Sequence, residues 1–202
     1  MIIFDMDGTL WDTTEMTLEA INIILENEKD INTITIDQIK GIMGLSKVEV
    51  AKKLLSNIDE EQALKYIDLE VDKTIELINM YGANIYENVI ETINYLKDKY
   101  KLAIVTNNND DYAKTFIDKS NLTDAFTDYM GSASYNISKS DAIKEVVKRN
   151  KITSACYIGD IKKDSDAALE AGIDFIHARY GFEKNVDCKI HIDNIKELID
   201  LL

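Results

Sequence analysis

The stretch Phe4-Asp5-Met6-Asp7-Gly8-Thr9-Leu10-Trp11-Asp12-Thr13 decides how the rest of the chain is read. The apolar run Ile2–Phe4 has the character of a short buried parallel strand. It delivers two carboxylates, Asp5 and Asp7, into a glycine-containing turn. In an open parallel sheet such a turn lies at the carboxyl end of the strand, where ligands bind. The two carboxylates repel each other unless a cation sits nearby, and hard oxygen ligands suit Mg²⁺. A solvated acidic turn has the same composition. A calcium loop does not fit, because the further Asp or Asn and the terminal Glu of such loops are missing.

Three more segments place polar groups at the ends of apolar runs or the starts of helical ones. Tyr157-Ile158-Gly159-Asp160-Ile161-Lys162-Lys163-Asp164 repeats the strand-then-carboxylate pattern. With parallel strands Asp160 emerges on the same edge as Asp5, as a metal ligand, with Asp164 as ligand or support. Val105-Thr106-Asn107-Asn108-Asn109 ends the run Leu102–Val105, and its hydroxyl and amide can donate to phosphate oxygens; an Asn-rich capping turn is the plain alternative. Ser138-Lys139-Ser140-Asp141 precedes a helical pattern, putting Lys139 near free helix-start amides that attract anions. The plain alternative is a surface lysine beside a Ser140 cap.

Between these sites the chain alternates. Strand-like runs at Leu102–Val105, Phe126–Met130, Ala155–Ile158 and Phe175–Ala178 are separated by helical patterns at Asn88–Lys99, Asp111–Lys119, Asp141–Arg149 and Ser165–Ala171, the last ended by Gly172. That alternation predicts an α/β fold: an open parallel sheet, Rossmann-like, with helices on both faces. One region breaks it. From Glu15 to Tyr81 only helical patterns occur, with capping boxes at Thr35–Gln38 and Ser46–Glu49. Asp59 is placed to cap a long helix carrying Leu64, Ile67, Val71, Ile75 and Ile78 on one stripe. The insertion far exceeds the usual limit of about 12–15 residues for a connection. A separate all-helical lobe over residues 15–82, with the sheet domain built from 1–14 and 83–202, accounts for it.

Composition narrows the function. Among 202 residues, 37 acidic and 23 basic side chains leave a net charge of -14, which disfavours nucleic acid and anionic membranes as partners. Any phosphate site must therefore carry positive charge of its own. Two cysteines, Cys156 and Cys188, argue against a disulfide scaffold and for a reducing, cytoplasmic setting. Two histidines make a His-rich zinc site or a Ser-His-Asp triad hard to build. The run Met1–Phe4, interrupted by Asp5 and without a basic flank, does not read as a signal peptide, and no apolar stretch approaches the length of a membrane span.

The order Asp-x-Asp-Gly-Thr-Leu, strand-Thr, Lys, Gly-Asp-x-x-x-Asp resembles the motif series of the haloacid dehalogenase (HAD) superfamily. The resemblance runs from Met1 to Leu202 and is nearest to members with a helical cap between the first and second motifs, such as phosphoglycolate phosphatases and β-phosphoglucomutases. It implies that Asp5 is a nucleophile forming an aspartyl-phosphate, and that Asp7 is the general acid and then base. It further implies that Asp5, the backbone carbonyl of Asp7 and Asp160 hold Mg²⁺ with Asp164 in support, and that Thr106, Asn107 and Lys139 bind the phosphoryl oxygens. The second Asp favours phosphate esters over haloacids. The third motif departs from the family's Gly-Lys-Pro, being Ser138-Lys139-Ser140. In the cap, Gly41–Lys47 resembles the loop that closes over substrate, which makes Ser46 and Lys47 candidate substrate contacts beside their plainer roles as helix cap and solvated lysine. The expected activity is hydrolysis of a small phosphorylated metabolite. A phosphomutase is the alternative, disfavoured because the histidine such mutases carry early in the cap is not evident between Glu15 and Leu25, and an Asp-phosphorylated receiver module is a remote one.

Overall fold

The computed structural model describes residues 1–28 and 31–202. The chain begins with β1 (Ile2–Phe4) and β2 (Trp11–Asp12), followed by α1 (Thr14–Leu25), α2 (Ile36–Lys40), α3 (Lys47–Leu54) and α4 (Glu60–Tyr81). Next come β3 (Asn84–Ile85), α5 (Val89–Lys97), β4 (Leu102–Thr106), α6 (Asp110–Lys119), β5 (Phe126–Gly131), α7 (Ser132–Tyr135) and α8 (Lys139–Arg149). The last elements are β6 (Cys156–Gly159), α9 (Lys162–Ala171), β7 (Asp174–Ala178), β8 (His191–Ile192), a 3₁₀ turn at Ile195–Glu197 and α10 (Leu198–Leu201).

Six strands form one parallel sheet in the order β5-β4-β1-β6-β7-β8. The chain starts at a central strand, builds outward through β4 and β5, then returns to build the other side through β6, β7 and β8. The reversal opens a crevice beside β1 at the carboxyl ends of the strands, the place where doubly wound sheets bind ligands. Phe4 is in register with Ile104 on one side and Ile158 on the other, so Asp5, Thr106 and Asp160 all leave the sheet at that edge. Alternation along the strands divides the core. Ile2, Phe4, Leu102, Ile104 and Ile158 join one apolar cluster, and Ile3, Ala103, Val105 and Tyr157 join another on the opposite face.

The four helices after β2 gather a third cluster, including Ile21, Leu25, Ile39, Val50, Leu55 and Ile67. Thr35 caps α2 through a reciprocal box with Gln38, and Asp59 caps α4 by accepting from the Glu61 and Gln62 amides. The stripe along α4 divides: Leu64 and Ile67 pack into the helical cluster, while Val71, Ile75 and Ile78 reach the sheet cluster. One long helix therefore anchors the lobe to the sheet.

Some boundaries differ from the expectation, each for a local reason. Asn88 adopts a left-handed conformation (φ 65°), so α5 begins after it. Ser138, not Ser140, caps α8 by accepting from the Asp141 amide, which draws Lys139 into the first turn of the helix. Strands β2, β3 and β8 go unmarked in the sequence, since two-residue strands leave no pattern there. No helix among the described residues is long and apolar enough to cross a membrane.

Candidate active site

Strand ends and helix starts converge on one buried group. Asp5 follows β1 directly, and its own amide donates to the Ile158 carbonyl at 2.8 Å, fixing its level on the sheet edge. Asp160 and Asp164 lie at the end of β6 and in the first turn of α9. Oδ2 of Asp164 accepts from the Asp160 and Ile161 amides at 3.1 and 3.2 Å, so this carboxylate both caps the helix and shapes the turn. Lys139 reaches in from α8, donating to Asp5 Oδ1 at 2.9 Å and Asp164 Oδ1 at 2.6 Å. Gly8 has φ +85°, and a Cβ there would stand 2.1 Å from Asp160 Oδ2. Only glycine lets the first turn approach the second so closely.

Asp7 is held separately. Its Oδ1 accepts from Thr13 Oγ1 at 2.8 Å and from Tyr112 Oη at 2.7 Å, and these two hydroxyls also contact each other at 2.8 Å. Tyr112 comes from α6. Tyr157 donates to the Val105 carbonyl at 2.7 Å and stands 3.3 Å from Asp5 Oδ1.

The charges in this group do not balance. Four carboxylates, at Asp5, Asp7, Asp160 and Asp164, surround a single lysine, and all five side chains are buried. Burial, then the neighbouring Asp164 carboxylate, pushes Asp5 up to about 7 despite Lys139. Burial and Asp164 likewise push Asp160 well above the ordinary carboxylate range. Asp7 is raised by burial and partly restored by the hydrogen bonds from Tyr112 and Thr13. Burial opposes the charge on Lys139, but Asp164 and Asp5 outweigh it and raise its pKa.

Two oxygens point to what is needed. Asp5 Oδ2 and Asp160 Oδ1 are buried with no hydrogen-bond partner. Carboxylate oxygens of Asp5, Asp160 and Asp164 lie within 4.8 Å of one another. An all-oxygen, acidic, buried donor set with bare lone pairs fits a hard divalent cation, which would offset most of the excess charge.

A cavity of about 170 Å³ opens over the group. Its floor includes Asp5, Asp7, Thr106, Asn107 and Lys139, and its opposite wall is built by Lys47, Asp68, Glu70 and Thr74 of the helical lobe.

A family model described as haloacid dehalogenase-like hydrolase matches residues 2–178. The chain belongs to that family. Among curated proteins it is similar to the phosphoglycolate phosphatase of Rhodobacter capsulatus, 27% identical over 191 residues and covering 91% of this chain and 85% of that protein. The phosphoglycolate phosphatase of Caulobacter vibrioides is 27% identical over 222 residues, covering 100% and 91%. Among solved structures, a predicted phosphatase from Clostridium acetobutylicum aligns with TM-score 0.84 at 25% identity, covering 99% of this chain and 96% of that one. A haloacid dehalogenase-like family hydrolase from Streptococcus pneumoniae shares the fold, with TM-score 0.85, 21% identity and the same two coverages. Family membership removes the receiver-module reading.

In this haloacid dehalogenase-like hydrolase the expected site residues do not all face the cavity alike. Asp5, Asp160, Asp164 and Lys139 meet directly. Thr106 lines the cavity, its Oγ1 accepting from the Asn108 amide at 3.2 Å. The Asn107 amide group is turned to the lobe, donating to the Gly44 carbonyl at 2.8 Å, so it ties the two halves together. Ser46 gives its hydroxyl to Glu49 at 2.7 Å, the helix-capping role. Lys47 lines the cavity but is paired with Asp68 at 2.6 Å.

Sequence reasoning missed Tyr112, Thr13 and Glu70. Thr13 closes the quoted motif and was readable as a polar position near Asp7. Tyr112 lies 105 positions from its partner, with nothing local to mark it. Glu70 is 7% exposed on α4, accepts from Thr74 Oγ1 at 2.6 Å, and is pushed up to about 7 by burial. Its position in a helix rich in charged residues concealed it.

Proposed function

We propose that the chain is a Mg²⁺-dependent phosphatase of small phosphorylated metabolites in the cytoplasm, working through an aspartyl-phosphate on Asp5. The observation that carries this reading is the buried group itself, in which Asp5 and Lys139 touch, Asp7 stands apart on two hydroxyls, and the set faces a cavity walled by the helical lobe. The names of the curated relatives support phosphate-ester hydrolysis. We assign residues 15–82 to a cap over a core made of 1–14 and 83–202.

In this reading the Asp5 carboxylate attacks phosphorus and the ester P–O bond breaks. Asp7, whose buried setting raises its pKa, gives a proton to the departing oxygen. Water then loses a proton to Asp7 and attacks phosphorus, releasing inorganic phosphate and restoring Asp5. Lys139 neutralises phosphoryl charge and fixes the Asp5 rotamer, and Thr106 contributes a hydroxyl to the same oxygens. Asp5, Asp160, Asp164 and the Asp7 carbonyl would hold the cation, which supplies charge neutralisation to the phosphoryl group when bound. No observation favours the mutase alternative.

Release of phosphate from p-nitrophenyl phosphate tests the reading. Hydrolysis should need Mg²⁺, stop with chelator, and fall by about 10⁴-fold or more in Asp5→Asn. Unchanged turnover in that variant would reject the mechanism. Interconversion of sugar-phosphate isomers in a parallel assay would move the assignment to a mutase.

A further inference from the structure

Three of the chain's four cysteine and histidine side chains meet at the sheet edge beyond the carboxylate group. A ring nitrogen of His177, one of His191 and the sulfur of Cys188 lie within 4.8 Å of one another. Local structure brings them there. His177 on β7 and His191 on β8 are register partners in a parallel pair, so both side chains rise on one face. The turn Cys188-Lys189-Ile190-His191 folds back on itself: the thiol donates to the Ile190 carbonyl at 3.2 Å and its sulfur lies 3.9 Å from His191 Nδ1.

His177 is buried, and its Nε2 lies 3.1 Å from the Asp160 carbonyl and 2.9 Å from that of Glu183. Carbonyls only accept, so Nε2 carries the proton and Nδ1 the lone pair. A ring N–H held on backbone carbonyls is the arrangement that orients metal-ligating histidines and fixes their tautomer. The same contact links this edge to Asp160.

We propose that His177, Cys188 and His191 form a second metal site, for a divalent ion of the zinc class, separate from the oxygen site at Asp5. Nitrogen and thiolate donors select zinc-class ions and discriminate against Mg²⁺, which takes oxygen. Binding releases the Cys188 thiol proton to solvent and leaves a fourth position for water at the surface. The ion joins β7, β8 and the connecting loop, the loop whose Phe182 amide donates to Asp160 Oδ2 at 2.7 Å.

Titration of the protein with Co²⁺ in saturating Mg²⁺, followed by absorption, tests this. A near-ultraviolet thiolate-to-cobalt band should saturate at a single equivalent and be displaced by Zn²⁺. Cys188→Ser should abolish it, His191→Ala should weaken Co²⁺ binding by at least about tenfold, and Cys156→Ser should leave it intact. Absence of the band, its persistence in Cys188→Ser, or its loss in Cys156→Ser overturns the site. Co²⁺ held only by the carboxylates gives no thiolate band, and that outcome overturns it too.

A different observation bears on substrate class, resting on the phosphatase reading above. Lys47 on the cavity wall is met by Asp68, whereas buried Glu70 has a hydroxyl as its hydrogen-bond partner and no paired cation among the described residues. We infer that Glu70 receives a hydrogen-bond donor from the leaving group, a hydroxyl or an ammonium, and disfavours a carboxylate. The substrate class would then differ from the phosphoglycolate in the relatives' name. Comparing phosphoethanolamine, glycerol 3-phosphate and phosphoglycolate well above pH 7, where Glu70 is ionised, should give the first or second a kcat/KM at least about tenfold above the third, with the ratio collapsing in Glu70→Gln. The two favoured arms tell ammonium from hydroxyl. Preference for phosphoglycolate, or a ratio unmoved by Glu70→Gln, overturns the inference while p-nitrophenyl phosphate is still hydrolysed. Inertness toward p-nitrophenyl phosphate removes the phosphatase reading, and the inference with it.

Discussion

The two walls of the cavity meet their charges in opposite ways. On the sheet side, Asp5 and Asp164 share Lys139, and Asp5, Asp160 and Asp164 are placed by the end of a strand or the first turn of a helix. On the lobe side, Lys47 is taken by Asp68 and Glu70 is left with Thr74, all of them on the faces of α3 and α4. The sheet wall is rigid by construction, because backbone hydrogen bonds and close glycine approaches set its positions. The lobe wall depends on how helices lie against one another. In the function proposed above, reaction chemistry belongs to the first, and discrimination among leaving groups to the second.

The largest test of that contrast is Lys139→Met. It leaves Asp5 and Asp164 buried without their shared cation, and breaking a buried ion pair typically costs about 3–5 kcal/mol. Urea unfolding with chelator present should show the loss, with Mg²⁺ restoring part of it. A lobe-side counterpart, Lys47→Met, should cost no more than about 1 kcal/mol, since its pair with Asp68 is partly exposed. Equal costs would erase the distinction.

Glu70 gives a smaller effect that is read by pH. Burial raises it from 4.5 to about 7, so the folded protein holds a proton that the unfolded chain gives up between those values. Stability from this group is fully present below about pH 4.5 and is lost as pH rises through about 7. Over that interval wild type should lose on the order of 3 kcal/mol relative to Glu70→Gln. Parallel stability-versus-pH curves for the two proteins would show that Glu70 does not titrate this way. The smallest effect is that of Tyr112→Phe, which removes one of the two donors on Asp7 and should lower kcat by up to about tenfold. The fold should be unaffected.

What the sequence disclosed divides along the same line. Apolar runs ending in polar residues marked β1, β4 and β6 to within about a residue, because a buried strand must be apolar and must stop where its polar side chain emerges. Thr35 and Asp59 marked their helices through capping chemistry that acts over three residues. Tyr112, Glu70 and the turn of Asn107 toward Gly44 left no such trace. The partners of Tyr112 and Asn107 lie on other elements, and Glu70, bonded within its own helix to Thr74, is buried only by the packing of lobe on sheet. Strand β8 was hidden for a related reason: two paired residues at a sheet edge carry no periodicity.

The central claim is a covalent phosphoryl group on Asp5, and Asp7→Asn makes it visible. With p-nitrophenyl phosphate the leaving group needs little protonation, so the first step should proceed while the second, which lacks its base, slows by about 10²–10⁴-fold. Acid quenching during turnover followed by peptide mass spectrometry should find hydroxylamine-sensitive phosphate on the peptide containing Asp5. Steady turnover with that peptide unmodified, or with the phosphoryl group on another residue, would contradict the account.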